Sequence, residues 1–234
     1  MTDAPPAGGA GRAPRNVAVF ASGAGSNLGA MLTYFATQPA PAARIVLVVS
    51  NRAGAGALAR ATAAGVPAAT VADPDDGAAL DALLAAHGVD LVVLAGYLKL
   101  VPASVVTRYH GAIVNIHPAL LPRHGGPGMY GRRVHEAALR AGDTQSGATV
   151  HFVDAAYDRG APIARATVAV APTDTPESLA ARVLVAEHFL LPRVVDAIAR
   201  GAVRLERGSL RCTPAAASLL ADPPAGVRVG LDGG

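Results

Sequence analysis

The chain has 234 residues, a length that fits one globular domain with a tail. Hydrophobic residues make up 51% and charged residues 16%, which excludes a chain that is disordered throughout, and the 26 Gly and 18 Pro follow no collagen-like period. The formal net charge of +3 is small and its charges are scattered, so composition does not indicate a nucleic-acid partner.

The apolar runs of the sequence are too short to span a membrane. The mean hydropathy is +0.35, yet runs such as 45–49 and 91–95 fall far below the ~20 residues that a spanning helix needs. Residues 1–15 are rich in Pro, Gly and Ala and hold no apolar segment of signal-peptide length, so we expect a disordered lead-in. The single Cys212 cannot form an internal disulfide, which also fits the cytoplasmic protein that we expect.

A strand, a glycine turn and a helix are predicted first. The apolar run 16–21 stops at Gly23, and apolar residues then recur at helical spacing over 28–35. Further apolar runs predict strands over 44–49, 68–71, 91–94, 112–116 and 149–153. Helical patterns lie between several of these runs, including those over 80–84 and 131–141.

The last long helical pattern has a clear start. Thr175 occupies the N-cap position and Pro176 the first helical position, and an apolar stripe follows from 179 to 198. Beyond it we expect an irregular C-terminal tail over 206–234, so the working domain covers 16–205. Apolar strands separated by helices predict an α/β fold, a Rossmann-like and mostly parallel sheet with helices on both faces. Ligands in such sheets bind beyond the carboxyl ends of the strands.

The loop from Ser22 to Asn27 is the first candidate for a binding site. Its glycines allow a tight turn and a close approach of the backbone to a ligand, and the start of the following helix attracts an anion such as phosphate. Leu28 stands where the third glycine of a dinucleotide fingerprint would fall, so a monophosphate fits this loop better than NAD. A plain strand-to-helix turn is the alternative.

Asn115 and His117 form the second candidate, at the end of a predicted strand. Alternation along the strand puts both side chains on one face, and Pro118 ends the strand so that both point toward the crevice. The amide is a neutral hydrogen-bond donor and the imidazole can hold or pass a proton near pH 7, a pairing that suits attack on a carbonyl. A structural histidine at a strand end is the alternative.

Two carboxylates complete the set of candidates. Asp158 lies in a glycine-containing turn, where it either caps the turn or orients an imidazole and raises its pKa, and spacing alone does not join it to His117. Glu187 falls inside the apolar stripe of the last helix, between Val183 and Leu190, where a carboxylate without partners is costly. It either meets the hydroxyls of a ligand or makes a structural hydrogen bond.

Five ordered segments resemble the phosphoribosylglycinamide formyltransferase family, folate-dependent enzymes of purine synthesis. They are VFASGAGSNL, LVVLAGYLKLV, IVNIHPALLP, GATVHFVDAAYDRGAPI and TPESLAARVLVAEH. The resemblance covers about residues 17–198. It implies the α/β fold above, with transfer of the formyl group of 10-formyltetrahydrofolate, as co-substrate, to the amine of glycinamide ribonucleotide, without a metal.

The resemblance also implies roles for the residues that match the motifs of the family. The residues that match the ribotide site are Gly25, Ser26, Asn27 and Glu187. The residues that match the catalytic trio are Asn115, His117 and Asp158. The residues that match the folate pocket are Leu98, Lys99, Leu100, Val101 and Asn115, and Lys99 is the only lysine of the chain.

Two stretches depart from the pattern of the family. Residues 73–80 carry acids and Gly where many relatives have an Arg that contacts the folate. The loop 122–133 is longer than in the short bacterial form and is closer to a plant-like variant.

Three other functions are compatible with parts of the pattern. A formyltetrahydrofolate deformylase shares the trio but usually has an extra amino-terminal domain, and a methionyl-tRNA formyltransferase needs an extra basic carboxy-terminal domain. We expect neither, because few residues flank the predicted domain. A non-catalytic nucleotide-binding module of the same fold would bind the ribotide without any release of tetrahydrofolate.

Overall fold

The structure is a computed structural model that describes residues 13–232. Of the predicted lead-in over 1–15, residues 1–12 lie outside the described residues. Arg15 already belongs to the first strand.

Ten strands and seven helices occur within the described residues. The strands are β1 Arg15–Phe20, β2 Ala43–Ser50, β3 Ala68–Thr70, β4 Leu91–Leu94, β5 Ile113–His117, β6 Gln145–Phe152, β7 Pro162–Ala169, β8 Val203–Glu206, β9 Ser209–Cys212 and β10 Val227–Leu231. The helices are α1 Ser26–Thr37, α2 Gly56–Ala63, α3 Gly77–Ala86, α4 Ala103–Arg108, α5 Arg132–Arg140, α6 Pro176–Ala199 and α7 Pro214–Leu219.

Eight of the strands form one sheet in the order β10-β7-β6-β5-β4-β1-β2-β3. The pairings among β3, β2, β1, β4 and β5 are parallel, whereas β6, β7 and β10 add to the far side in antiparallel pairings. The predicted α/β fold with a mostly parallel sheet is confirmed. The chain leaves β1 outward through β2 and β3 and returns to β4 beside β1, and a crevice is expected where the direction of the strand order switches.

The central strands of the sheet are buried on both faces, which explains the long apolar runs in β1, β2 and β4. Along β1, Val17 and Val19 pack in the core with α1 and α6, whereas Ala18 and Phe20 pack in the core with α3 and α4. Thr175 caps α6 as predicted, and its side chain accepts from the Ser178 amide in a capping box.

The expectation of an irregular tail over 206–234 is wrong. The chain forms the β8–β9 hairpin, the short helix α7 and the strand β10, which joins the main sheet beside β7. Arg207 and Gly208, both with positive φ, make the two-residue turn of the hairpin, as type I′ turns require. Val227, Val229 and Leu231 alternate along β10, but this period-two pattern is short and follows Pro-rich and Gly-containing sequence that resembles a loop.

Within residues 13–232, no helix combines the length and the apolar character needed to cross a membrane.

The packing of β10 predicts different effects for substitutions of two adjacent residues. Val227→Asp puts an unpaired charge into the core and is expected to lower the free energy of unfolding by about 3 kcal/mol. Arg228→Asp, its exposed neighbour, is expected to change it by less than about 0.5 kcal/mol. Urea unfolding of both variants measures the difference, and equal effects would contradict the packing of β10.

Candidate active site

A cavity of about 700 Å³ opens beyond the carboxyl ends of β4 and β5. Its walls come from these two strand ends, from the loop 126–132, from the loop around Asp158 and from the first half of α6. Every predicted site residue lines it except Gly25, Ser26 and Asn27, which lie at the start of α1. The structure therefore brings the predicted trio and the predicted folate segment to one cavity.

The trio is in contact in the wall of this cavity. His117 Nδ1 lies 3.5 Å from Asp158 Oδ2, and Asn115 Nδ2 lies 3.4 Å from Asp158 Oδ1. The sequence spacing left Asp158 unconnected, but the loop after β6 folds back toward β5 and carries it there. Asp158 itself has a φ of 55°, in the left-handed region that non-glycine residues enter where the surrounding structure holds them.

Burial makes the neutral form of His117 the favoured one. The residue is 3% exposed, and this burial lowers the pKa of the imidazole although the charge of Asp158 raises it. Asp158 therefore raises the pKa of its imidazole partner, as expected, but burial outweighs this effect. Burial opposes the ionisation of Asp158 as well, but contacts with His151, His117 and the Gly126 amide together lower the pKa of that carboxyl. Near neutral pH, the free site holds a neutral imidazole beside a carboxylate.

His151 is a site residue that the sequence did not reveal. Its Nδ1 lies 2.8 Å from the Phe152 carbonyl oxygen, which can only accept, so Nδ1 carries the proton of the neutral ring. Nε2 faces both Asn115 Nδ2, at 3.0 Å, and Asp158 Oδ1, at 3.6 Å. The only sequence signal was its place in a predicted strand, because the antiparallel register that sets it opposite Asn115 is a property of the folded sheet.

The start of α1 has the features of an anion site. Gly25 precedes the helix with a φ of 73°, and a Cβ there would lie 2.7 Å from the backbone of Ala57, so only glycine fits. No side chain caps the helix and no acidic residue lies in its first turn. The first amides of the helix, from Ser26 onward, are thus available to an anion.

Glu187 connects the start of α1 with the cavity. Its Oε2 accepts a hydrogen bond of 2.6 Å from Asn27 Nδ2, while its side chain also lines the cavity. Burial raises the pKa of Glu187 to about 7, although the hydrogen bond from Asn27 acts in the opposite direction. The two interpretations of Glu187 are compatible, because a structural hydrogen bond holds a carboxyl that still faces the cavity.

The sequence also did not point to two basic residues near the loop before α1, His188 and Arg60. The Nε2 atom of His188 is buried with no partner among the described residues, and burial and the nearby Arg60 lower the pKa of this imidazole. Arg60 Nε donates to the Ala24 carbonyl at 2.8 Å, which ties α2 to the loop. The position of His188 next to Glu187 was the one available signal.

The predicted folate segment, from Leu98 to Val101, also lines the cavity. The Leu98 amide donates to Ser22 Oγ at 3.0 Å, and that hydroxyl donates to Asn51 Oδ1, which fixes the segment to the ends of β1 and β2. Lys99 is exposed at the rim. The other cation of the lining, Arg132, pairs with two carboxylates, so Lys99 is the lining cation left without a carboxylate partner in the described part of the chain.

The acids in the stretch 73–80 have local structural roles. Asp76 caps α3 by accepting from the Ala79 amide at 2.9 Å. Tyr97 is buried beside the cavity, and this burial, together with the charge of Asp75, raises the pKa of its hydroxyl. Among residues 13–232 no group of three or more His, Cys, Asp and Glu side chains could hold a metal ion.

The raised pKa of Glu187 predicts a pH-dependent stability. Folding favours the protonated carboxyl, so its contribution to stability is complete below pH 4.5 and is lost as the pH rises through about 7, a change of about 3 kcal/mol. Glu187→Gln, which resembles the protonated acid, is expected to remove this fall. Urea unfolding across that pH range measures it, with Glu206→Gln, an exposed carboxyl on β8, as the control. A Glu187→Gln variant that keeps the wild-type slope would show that burial does not shift this group.

Comparisons with known proteins agree on one family. The formyl transferase family matches residues 15–195. The chain is 42% identical over 191 residues to "Phosphoribosylglycinamide formyltransferase, chloroplastic" of Arabidopsis thaliana, an overlap that covers 79% of this chain and spans 65% of that protein. The crystal structure of phosphoribosylglycinamide formyltransferase from Anaplasma phagocytophilum has a TM-score of 0.78 at 40% identity and covers 85% of this chain and 93% of that one.

One further solved structure shares the fold alone. A formyltetrahydrofolate deformylase from Pseudomonas syringae has a TM-score of 0.76, covers 86% of this chain and 66% of that one, and is 24% identical. The phosphoribosylglycinamide formyltransferases named above match this chain in both fold and sequence along most of its described residues. The protein therefore belongs to the formyl transferase family, among the phosphoribosylglycinamide formyltransferases.

Proposed function

We propose that this protein transfers the formyl group of 10-formyltetrahydrofolate to the amine of glycinamide ribonucleotide, which gives N-formylglycinamide ribonucleotide. The observation that carries the proposal is the contact of Asn115, His117 and Asp158 in the wall of one cavity, which Glu187 also lines next to the start of α1. Membership of the family supports the choice of both substrates.

The two substrates take opposite sides of the cavity in this proposal. The phosphate of the ribotide binds the amides at the start of α1, and Glu187 meets the ribose hydroxyls. The folate lies along the segment from Leu98 to Val101, where the exposed ammonium of Lys99 pairs with a carboxylate of the folate. The reacting amine and the formyl carbon then meet beside His117.

The trio moves one proton during the transfer. The ribotide amine attacks the formyl carbon, and its proton passes to Nδ1 of neutral His117, because Nε2 already donates to a backbone carbonyl at 2.8 Å. The same proton then goes to the folate nitrogen as the bond from that nitrogen to the formyl carbon breaks. The Asp158 carboxylate stabilises the imidazolium between these two steps. No covalent bond to the protein forms.

Asn115 provides the hydrogen bond for the developing oxyanion. Its Nδ2 contacts His151 Nε2 at 3.0 Å and Asp158 Oδ1 at 3.4 Å. The longer contact is the weaker one, so it is the one that the oxyanion replaces. The contact with His151 keeps the amide oriented throughout.

The proposed partners are these two small molecules, and the proposed reaction uses no metal ion. The cytoplasm stays the predicted location, while the relative from Arabidopsis thaliana is named as chloroplastic.

Substitutions in the trio test the proposal. His117→Ala and Asp158→Asn are expected to lower kcat by about a thousandfold or more, because each removes proton transfer or charge stabilisation in the transition state. Binding of the ribotide, measured by calorimetry, is expected to change little. His110→Ala, an exposed histidine that does not line the cavity, is the control. Turnover of either trio variant within about threefold of the wild type would contradict these roles.

The assay also separates the alternatives. Protein, 10-formyltetrahydrofolate and glycinamide ribonucleotide are mixed, and the release of tetrahydrofolate is followed with and without the ribotide. Release that requires the ribotide is expected. Release that ignores it would identify a deformylase, and binding of the ribotide without release would identify a non-catalytic module.

A further inference from the structure

The segment His124 to Gly126 contacts both His117 and Asp158. The His124 carbonyl accepts from His117 Nε2 at 2.8 Å, and the Gly126 amide donates to Asp158 Oδ2 at 2.9 Å. Gly125 lies between them, where a Cβ would lie 3.3 Å from the Asp158 Cβ. This three-residue segment therefore sets the position of the imidazole relative to the carboxylate.

The side chain of His124 anchors the segment from outside the cavity. His124 Nε2 lies 2.6 Å from Asp143 Oδ2, and the guanidinium of Arg123 pairs with the other oxygen of the same carboxylate. The side chains of His124 and Asp143 are 15% and 7% exposed, so this contact is sheltered from solvent. Both residues line a separate polar cavity of about 440 Å³ and neither lines the cavity of the trio.

The backbone of His124 adopts a conformation that needs such an anchor. Its φ of 54° is in the left-handed region, which is unfavourable for a non-glycine residue unless the surrounding structure holds it there. The neighbouring Leu121 is held separately, since Arg165 donates to its carbonyl at 3.0 Å and its amide donates to Thr149 Oγ1 at 3.0 Å. The contacts from Arg165 and Thr149 hold Leu121, three residues before His124. The Asp143 carboxylate is the group that contacts the His124 side chain itself.

We propose that His124 and Asp143 are positioning residues that set the tautomer of His117. A backbone carbonyl can only accept, so a carbonyl held against Nε2 keeps the proton of the neutral ring on that nitrogen and leaves the lone pair on Nδ1. Nδ1 is the atom that receives the substrate proton, so the inference rests on the proposed function for its effect on turnover. Loss of the anchor frees the carbonyl, and the ring then also populates the tautomer with the proton on Nδ1, which cannot act as a base there.

Kinetics of anchor variants are the first part of the test. Asp143→Ala is expected to lower kcat about ten- to a hundredfold, the scale of a small misplacement of reacting groups, with KM for both substrates within about threefold. Asp143→Asn keeps an oxygen that accepts from His124 and is expected to recover most of the turnover. Asp90→Ala is the control, since it likewise removes a carboxylate that accepts a hydrogen bond, in this case from the Asn16 amide at 2.8 Å, remote from the cavity.

Nitrogen NMR of the imidazole rings is the second part and does not depend on turnover. Near pH 8, where His117 is neutral, the wild type is expected to show the proton on Nε2, and Asp143→Ala a mixture of both tautomers. If Asp143→Ala does not fold, His124→Gly makes the same test, because it removes the anchor while glycine still allows the left-handed backbone. An unchanged tautomer with kcat within about twofold of the wild type, in either folded variant, would overturn the proposal.

The two parts separate this inference from the proposed function. A tautomer change in a protein whose wild type does not transfer formyl groups would leave the positioning role in place and reject the proposed function. Normal formyl transfer by the wild type, with no tautomer change in the anchor variants, would reject the positioning role alone.

Discussion

The antiparallel pairing of β5 with β6 is the constraint on which the site depends. β5 completes the parallel half of the sheet, and its carboxyl end presents Asn115 and His117. The pairing with β6 sets His151 opposite Asn115, and the loop that follows β6 returns Asp158 to the same place. Three groups that are distant in the chain thus meet because one strand reverses the direction of the sheet.

Burial has the same consequence for the two titratable groups that face the proposed ribotide. It raises the pKa of Glu187 to about 7 and lowers the pKa of His117, so both groups favour their neutral forms. Asp158 keeps its charge because its neighbours outweigh its own burial. A doubly charged phosphate at the start of α1 would therefore meet less repulsion from Glu187 than a surface carboxylate would exert. The charge of Asp158 stays beside the imidazole that receives a proton in the proposed transfer.

The sequence predicted the parts of the fold that depend on local pattern. Continuous apolar runs gave the parallel strands, and the glycine turn and the N-cap Thr175 marked the starts of α1 and α6. β7 begins with Pro and carries Arg165 and Thr167 on an otherwise apolar strand, and β10 is five residues long, so neither gave a clear run. The contact of His117 with the His124 carbonyl has no side-chain signal at all, because its acceptor is backbone and its geometry comes from a left-handed residue.

The rim of the cavity offers the proposed folate a single unpaired cation among the described residues, so ion pairs contribute little to its binding. The acids near residue 75 serve as a helix cap and as a neighbour of Tyr97, which leaves Lys99 as the lining cation without a carboxylate partner among residues 13–232. Lys99 is exposed, and an exposed ion pair stabilises by at most about 1 kcal/mol and weakens in salt. Apolar contacts contribute about 25 cal/mol for each Å² buried, and the cavity wall is largely apolar. Most of the binding free energy for the folate must therefore come from its rings on that wall, with Lys99 orienting the charged end.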